Sequence, residues 1–299
     1  MSSSIHKTVL LEETMQNLNL RPNMTLLDAT INGGGHSAEA VERLSGKISV
    51  VGLDQDSLAL ERAKNRINPF QPQKLNLIEA NFRNMGKVAG ELSLKTADAI
   101  IFDLGLSSDQ LEQSGRGFSF EREEPLLMTF SDHPTDPAKT ADAIVNRASE
   151  EELAGIFKEY GEEPRARRYA SAIVVARARK RIETAKELAE IILNAAGGKG
   201  RRHPATKVFQ ALRMAANQEL ESLEEALPQA FSLLSPNGRL LVISFHSGED
   251  RIVKNFMRGK AAGGEALLIN KKPITPGREE VLANPRSRSA KLRVLQKAN

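Results

Sequence analysis

Apolar residues fall along this 299-residue chain in two rhythms. Short, nearly continuous apolar runs, the kind buried on both faces of a sheet, occupy residues 25–29, 48–53, 75–80, 97–102 and 239–245. Between the early runs lie segments with apolar residues three and four apart, such as residues 57–67, which predict helices. This alternation predicts an α/β fold, a doubly wound sheet of mainly parallel strands. Residues 206–234 carry the periodicity of one long helix, interrupted or ended near Pro228, suited to cross into the fifth strand. Residues 289–297 alternate and predict a last strand at a sheet edge.

Far more chain separates the fourth and fifth runs than one crossover needs. The excess opens on a glycine- and phenylalanine-rich loop, Gly115-Arg116-Gly117-Phe118-Ser119-Phe120, and passes Pro125, Pro134 and Pro137. It then turns helical over 137–147, 149–160, 164–181 and 184–196. The expected organisation is a discontinuous sheet domain, 1–110 with 207–299, and an inserted helical domain, 111–206. Ligands of open α/β sheets bind beyond the carboxyl ends of the strands, so an insert leaving the fourth strand would overhang that site as a substrate domain.

Those strand ends carry the candidate chemistry. The first run holds Asp28 just before it breaks into Asn32-Gly33-Gly34-Gly35, with a helix-compatible stretch starting at His36. Glycines there permit positive φ and close approach of a ligand, and the helix start offers free N–H groups. The second run stops at Asp54, about 20 residues on, where a carboxylate can hold ribose hydroxyls. The fourth closes on Asp103, and the fifth leads into Ser244-Phe245-His246-Ser247. Burying a carboxylate without a task is costly, which favours a ligand-facing Asp103. Two cofactors suit a glycine loop with a downstream acid: a nicotinamide dinucleotide and S-adenosylmethionine. The glycines are consecutive, so the G-x-G-x-x-G spacing that seats a diphosphate is absent. Asp28 suits a cofactor with an ammonium group, or else accepts N–H bonds from its own loop.

Composition narrows the chemistry. With 40% hydrophobic and 27% charged residues the chain reads as globular. It has no cysteine, which removes thiolate nucleophiles, disulfides and cysteine-held metals, and no metal-ligand spacing is evident. The N-terminus lacks the apolar core of a signal peptide and no apolar stretch is long enough to span a bilayer, so a cytoplasmic protein without membrane partners is expected. The net charge of +4 includes basic clusters at residues 165–168, 177–181 and 199–203, which suit a polyanionic partner or are the solvated faces of helices. With no Trp and two Tyr, the chain is poor in stacking platforms for single-stranded nucleic acid.

Eight ordered stretches, taken together, resemble the ribosomal RNA small subunit methyltransferase H family, also called MraW, over nearly the whole chain. They are His6-Lys7-Thr8-Val9-Leu10-Leu11, Gly34-Gly35-His36-Ser37, Asp103-Leu104-Gly105-Leu106-Ser107-Ser108 with Gln110-Leu111, Arg116-Gly117-Phe118-Ser119-Phe120 and Tyr160-Gly161-Glu162-Glu163. The later ones are His203-Pro204-Ala205-Thr206 with Phe209-Gln210-Ala211-Leu212-Arg213, Ile243-Ser244-Phe245-His246-Ser247 with Glu249-Asp250-Arg251-Ile252-Val253-Lys254, and Asn284-Pro285-Arg286-Ser287-Arg288-Ser289. The resemblance implies a Rossmann-like class I methyltransferase sheet and methylation, with S-adenosylmethionine, of the exocyclic N4 of a cytidine in the decoding region of small-subunit (16S) rRNA. It also implies cofactor contacts at Gly34, Gly35, His36, Asp54, Phe82, Asp103 and Gln110. Gly34, Gly35 and His36 would meet the methionyl part, Asp54 the ribose and Phe82 the adenine.

The missing cysteine agrees with an amine target, because methylating C5 of a pyrimidine usually needs a cysteine to attack C6. Asp103 is the first candidate to accept hydrogen bonds from the amine, with His246 and Ser244 as further catalytic candidates, each equally explicable as a structural hydrogen-bonding group. Basic clusters of the insert, with Arg286, Arg288, Lys291 and Arg293, would grip the phosphates of a small ribosomal subunit. The pattern leaves open whether the chain forms a homodimer. One stretch departs from the family: where relatives continue Pro-Leu-Asp-Met-Arg-Met-Asp, this chain has Pro125-Leu126-Leu127-Met128-Thr129-Phe130-Ser131. Leu127, Thr129 and Ser131 thus motivate a rival, a catalytically weakened rRNA-binding ribosome-assembly factor. A second rival, an NAD-dependent oxidoreductase, is disfavoured by the glycine spacing.

Overall fold

The computed structural model describes residues 8–133, 136–198 and 203–299. His6, Lys7, Pro134 and the run from Lys199 to Arg202, all invoked above, lie outside the described residues. The chain forms two compact units, Met1–Gly105 with Leu220–Asn299, and Leu106–Glu219.

The first unit begins with α1 (Leu11–Leu18), β1 (Thr25–Asp28), α2 (Gly35–Arg43), β2 (Ser49–Asp54), α3 (Ser57–Ile67), β3 (Lys74–Glu79), α4 (Met85–Glu91) and β4 (Ala97–Asp103). The second unit holds α5 (Ser108–Gln113), α6 (Ala141–Arg147), α7 (Glu150–Glu159), α8 (Ala166–Arg177), α9 (Ala185–Ala196) and α10 (Ala205–Asn217). The chain returns through α11 (Glu219–Leu233), β5 (Leu234–Ser244), α12 (Ser247–Ala262), β6 (Ala266–Leu268), α13 (Arg278–Ala283) and β7 (Lys291–Lys297).

The strands form one seven-stranded sheet in the order β3-β2-β1-β4-β5-β7-β6. The β3 to β5 pairings are parallel, whereas β7 runs antiparallel to β5 and to β6. Successive side chains of a strand point to opposite faces, and here both faces are covered. Leu27, Val51, Phe102 and Val242 pack against Met85, Leu227, Val253 and Met257 from α4, α11 and α12. Leu26, Val50, Ile101 and Ile243 pack against Leu18, Val41, Ala63 and Ile67 from α1, α2 and α3. Burial on both sides is why these strands are continuous apolar runs.

Two expectations are corrected. The last strand is not at the edge: β7 lies between β5 and the three-residue β6, which is itself the edge strand. The 206–234 segment is two helices, broken not at Pro228, which lies inside α11, but at Gln218, whose φ of 49° puts it in the left-handed region and ends α10.

The second unit has its own core, built from Leu153, Phe157, Tyr169, Ile173, Leu188, Ile192, Val208 and Leu212 on α7 to α10. Its helix starts follow local rules: Ser149 with Glu152 and Thr184 with Glu187 form capping boxes at α7 and α9.

Candidate active site

Parallel register brings three acids to one rim of the first unit. Asp28 is level with Gly52 on one side and Ile101 on the other, so Asp54 and Asp103 stand two residues beyond it on the flanking strands. Asp28 is spoken for locally: the Ser37 hydroxyl donates to its Oδ2 at 2.6 Å and the Thr30 amide to its Oδ1 at 3.3 Å. Burial nevertheless pushes its pKa up to about 6, against the lowering effect of those two bonds. Asp54 accepts the Asn32 amide on Oδ2 (2.9 Å) and the Asp56 amide on Oδ1 (3.0 Å), and burial raises it likewise to about 6.

Asp103 is the most perturbed. Burial first, then the negative charges of Asp28 and Glu249, push its pKa up to about 8. Its Oδ1 has no hydrogen-bond partner among the described residues, and its Oδ2 stands 3.7 Å from Nδ1 of His36, beyond hydrogen-bond length. Nε2 of His36 lies 3.0 Å from the Val9 carbonyl, which can only accept, so that nitrogen is assigned the proton. No Lys or Arg charge among the described residues offsets burial at any of the three acids. The rim suits a ligand carrying positive charge and opposes a diphosphate.

The glycine loop divides its work. Gly34 caps α2 at φ 74°, where a side chain would be strained. At Gly35 a Cβ would fall 2.1 Å from Oγ1 of Thr8, so this glycine makes room for the chain's own N-terminal segment. Only Gly33 faces open space, where a ligand can approach the backbone.

Phe82 lies in a short turn after β3, partly buried, its ring edge-on to Phe102 at 5.6 Å. The turn is tied to the end of β2 by Asn81, whose amide donates to Gln55 at 3.2 Å. His246 caps α12: its Nδ1 accepts the Glu249 amide at 3.3 Å, and its Nε2 is 3.0 Å from Glu249 Oε1. Glu249 is itself buried and accepts the amides of Phe245 (2.8 Å) and His246 (3.3 Å). The hydroxyl of Ser244, a buried residue, faces the Lys291 carbonyl at 3.5 Å. Each side chain thus has a structural contact, yet Nε2 of His246, like Oδ1 of Asp103, is a buried polar atom with no hydrogen-bond partner among the described residues.

Sequence reasoning passed over Glu249 as an acid of this rim. The signal was there in its spacing, three residues after His246 at a helix start, the pattern of a capping pair.

Gln110 belongs to the second unit. It is buried, and its side chain closes the α5 capping box by accepting the Ser107 amide at 3.1 Å. In the same unit Leu127, Thr129 and Ser131 lie in a loop where the Thr129 hydroxyl donates to the Ser131 carbonyl at 2.9 Å, and Met128 adopts φ 53°.

Several cations nominated for phosphates are engaged internally. Arg293 and Lys291 pair with Asp250 at 2.6 and 3.2 Å, Arg177 donates to the Val145 and Ala148 carbonyls, and Arg181 and Lys180 pair with Asp142 and Glu187. Arg167, Arg168, Arg179, Arg286 and Arg288 remain exposed. Among the described residues no helix is long and apolar enough to cross a membrane.

The strand order, the antiparallel seventh strand and acids at successive carboxyl ends define a Rossmann-like class I methyltransferase fold. The model of the MraW methylase family matches residues 3–298, and the chain belongs to that family. It is 46% identical over 275 residues to a ribosomal RNA small subunit methyltransferase H of Persephonella marina, covering 91% of this chain and 92% of that one. It is 45% identical to the protein of the same name from Carboxydothermus hydrogenoformans, covering 98% and 97%. Among solved structures, an rRNA methylase from Streptococcus thermophilus superposes with a TM-score of 0.44 at 12% identity over 96% of this chain and 93% of that one.

Proposed function

We propose that this protein uses S-adenosylmethionine to methylate small-subunit rRNA at the exocyclic N4 of a cytidine in the decoding region. The observation that carries the cofactor is the rim of Asp28, Asp54 and Asp103, raised in pKa by burial and offset by no Lys or Arg charge among the described residues. A cofactor with a sulfonium and an ammonium and no phosphate supplies the missing charge, whereas the diphosphate of NAD would meet like charge. The rRNA substrate follows from the names carried by relatives of 43–46% identity.

When bound, the cofactor supplies an electrophilic methyl group. Asp54, already braced by two backbone amides, accepts from ribose hydroxyls with its remaining lone pairs. The open backbone at Gly33 and the start of α2 receive the methionyl end, and Phe82 offers an apolar face to the adenine. The open Oδ1 of Asp103 accepts a hydrogen bond from the cytidine amine as positive charge develops on nitrogen. Holding amine and methyl in line supplies on the order of 7–11 kcal/mol of the barrier reduction. The second unit, with its exposed arginines, serves as the substrate-recognition domain.

Nucleoside analysis of small-subunit rRNA from cells with and without the protein tests this reading. N4-methylcytidine present only with the protein supports it, and identical nucleoside profiles overturn it. Cofactor binding without methyl transfer to unmodified subunits would instead support the assembly-factor reading.

A further inference from the structure

A cavity of about 400 Å³ opens between α12 and the loop that follows β6, and none of the rim acids lines it. Lys254 and Arg258, one helical turn apart on α12, line one side, and Lys271 and Lys272 the other. None of these four cations has a hydrogen bond or ion pair to a described residue. Arg293, which also lines the cavity, is held by Asp250. Met257, Leu268 and Pro273 make an apolar floor.

The loop is fixed rather than draped. Asn270 donates to the carbonyls of Lys272 and Leu292 (both 2.9 Å) and accepts the Val294 amide (2.7 Å), which ties the paired lysines to β7. Ordinary solvated lysines spread apart to lessen repulsion, yet here four unneutralised charges surround one preformed cleft of small-molecule size. A bare anion would use the charges and leave the floor idle. A nucleotide uses both: its sugar and base cover the apolar floor and its phosphates meet the rim.

We infer that this cleft holds a nucleotide of the RNA strand with its flanking phosphates, a second RNA contact separate from the methyl-transfer rim. The partner rests on the rRNA reading above, but the site does not share its residues.

The test is binding of the full-length protein to small subunits lacking the modification, measured across a salt series. The quadruple variant Lys254→Gln, Arg258→Gln, Lys271→Gln and Lys272→Gln should bind at least tenfold more weakly near 0.1 M salt. The slope of log affinity against log salt should shrink by about 2, as for two to three lost phosphate contacts. Its affinity for S-adenosylmethionine should stay at the wild-type value. A control with four exposed lysines removed elsewhere, Lys47→Gln, Lys64→Gln, Lys74→Gln and Lys95→Gln, should keep the wild-type slope. If the quadruple variant folds poorly, the loop pair Lys271→Gln and Lys272→Gln alone should lower the slope by about 1. A wild-type slope in the cleft variants, or an equal loss in the control, overturns the cleft. Wild-type protein that fails to bind subunits at all overturns the rRNA reading and the cleft with it.

Discussion

Binding of S-adenosylmethionine should expel a proton from Asp103. In the free protein burial and two neighbouring acids hold this carboxyl at a pKa of about 8, so at pH 7 it is about nine-tenths protonated. A sulfonium and an ammonium placed at the rim favour its charged form, as any cation within about 4–6 Å of a carboxylate does. If the bound-state pKa falls below about 6, calorimetry at pH 7 in buffers of different ionisation enthalpy should count about one proton released per cofactor. Asp28 and Asp54, at about 6, add only about a tenth each. The apparent affinity should therefore strengthen up to about tenfold per pH unit between about 6 and 8 and level off above.

The sign is fixed by linkage. A carboxyl whose folded pKa is raised binds more protons folded than unfolded between 3.8 and about 8, so its contribution to stability is present below about pH 4 and lost as pH climbs through about 8. The whole swing is on the order of 5 kcal/mol. Asp103→Asn removes that titration: the free variant should lose less stability than the wild type between pH 5 and 8, release almost no proton on binding cofactor, and form no methylated product. Proton release in Asp103→Asn equal to the wild type, or none in the wild type at pH 7, would refute the placing of positive charge at this rim.

Three further outcomes follow from the geometry. Asp54→Ala should weaken S-adenosylmethionine by about 10- to 100-fold, the loss of about 1.5–3 kcal/mol of charge-assisted hydrogen bonding, and an unchanged Kd would end its ribose role. Gly35→Ala should destabilise the protein by about 1–3 kcal/mol in urea unfolding, because its Cβ meets Thr8 Oγ1; adding Thr8→Ala should recover part of that, and a failure to recover any would show the clash is not the cause. Glu249→Ala should cost about 1–3 kcal/mol in the same assay by orphaning the partly buried Phe245 and His246 amides, with Glu249→Gln closer to wild type; equal losses would deny the capping role.

How much was legible follows from what each feature depends on. β1, β2 and β4 were readable because helices cover both sheet faces, which writes burial into every position of the strand. β6 was not: it is three residues long with Leu267 62% exposed, so it carries neither length nor alternation. Strand order is a non-local property, and nothing within residues 289–297 distinguishes an edge from the slot between β5 and β6. Gln218 is an ordinary helix former that happens to adopt the left-handed conformation, whereas Pro228, the expected breaker, is carried inside α11. The acids at strand ends were visible one by one. Their mutual effect, Asp28 and Glu249 raising Asp103, depends on register across three strands and on a capping glutamate whose spacing marks the cap but not its nearness to Asp103.

Charge was the least legible property because composition averages it. A net +4 suggests a basic surface everywhere, yet among the described residues the first unit keeps a carboxylate rim unoffset by Lys or Arg and, at other residues, a cleft of four unpaired cations, while much of the conspicuous basic sequence is spent on Asp142, Asp250, Glu187 and backbone carbonyls. On the proposed function, an RNA target would be repelled by the acidic rim until a cationic cofactor neutralised it. Attraction for the strand would then come from phosphates away from the reacting base, the division of labour that separates positioning contacts from chemistry in nucleic-acid enzymes. On the proposed reading, the same separation would let a protein so poor in aromatic platforms hold RNA: its grip would be on the backbone, and only one base would have to reach the rim.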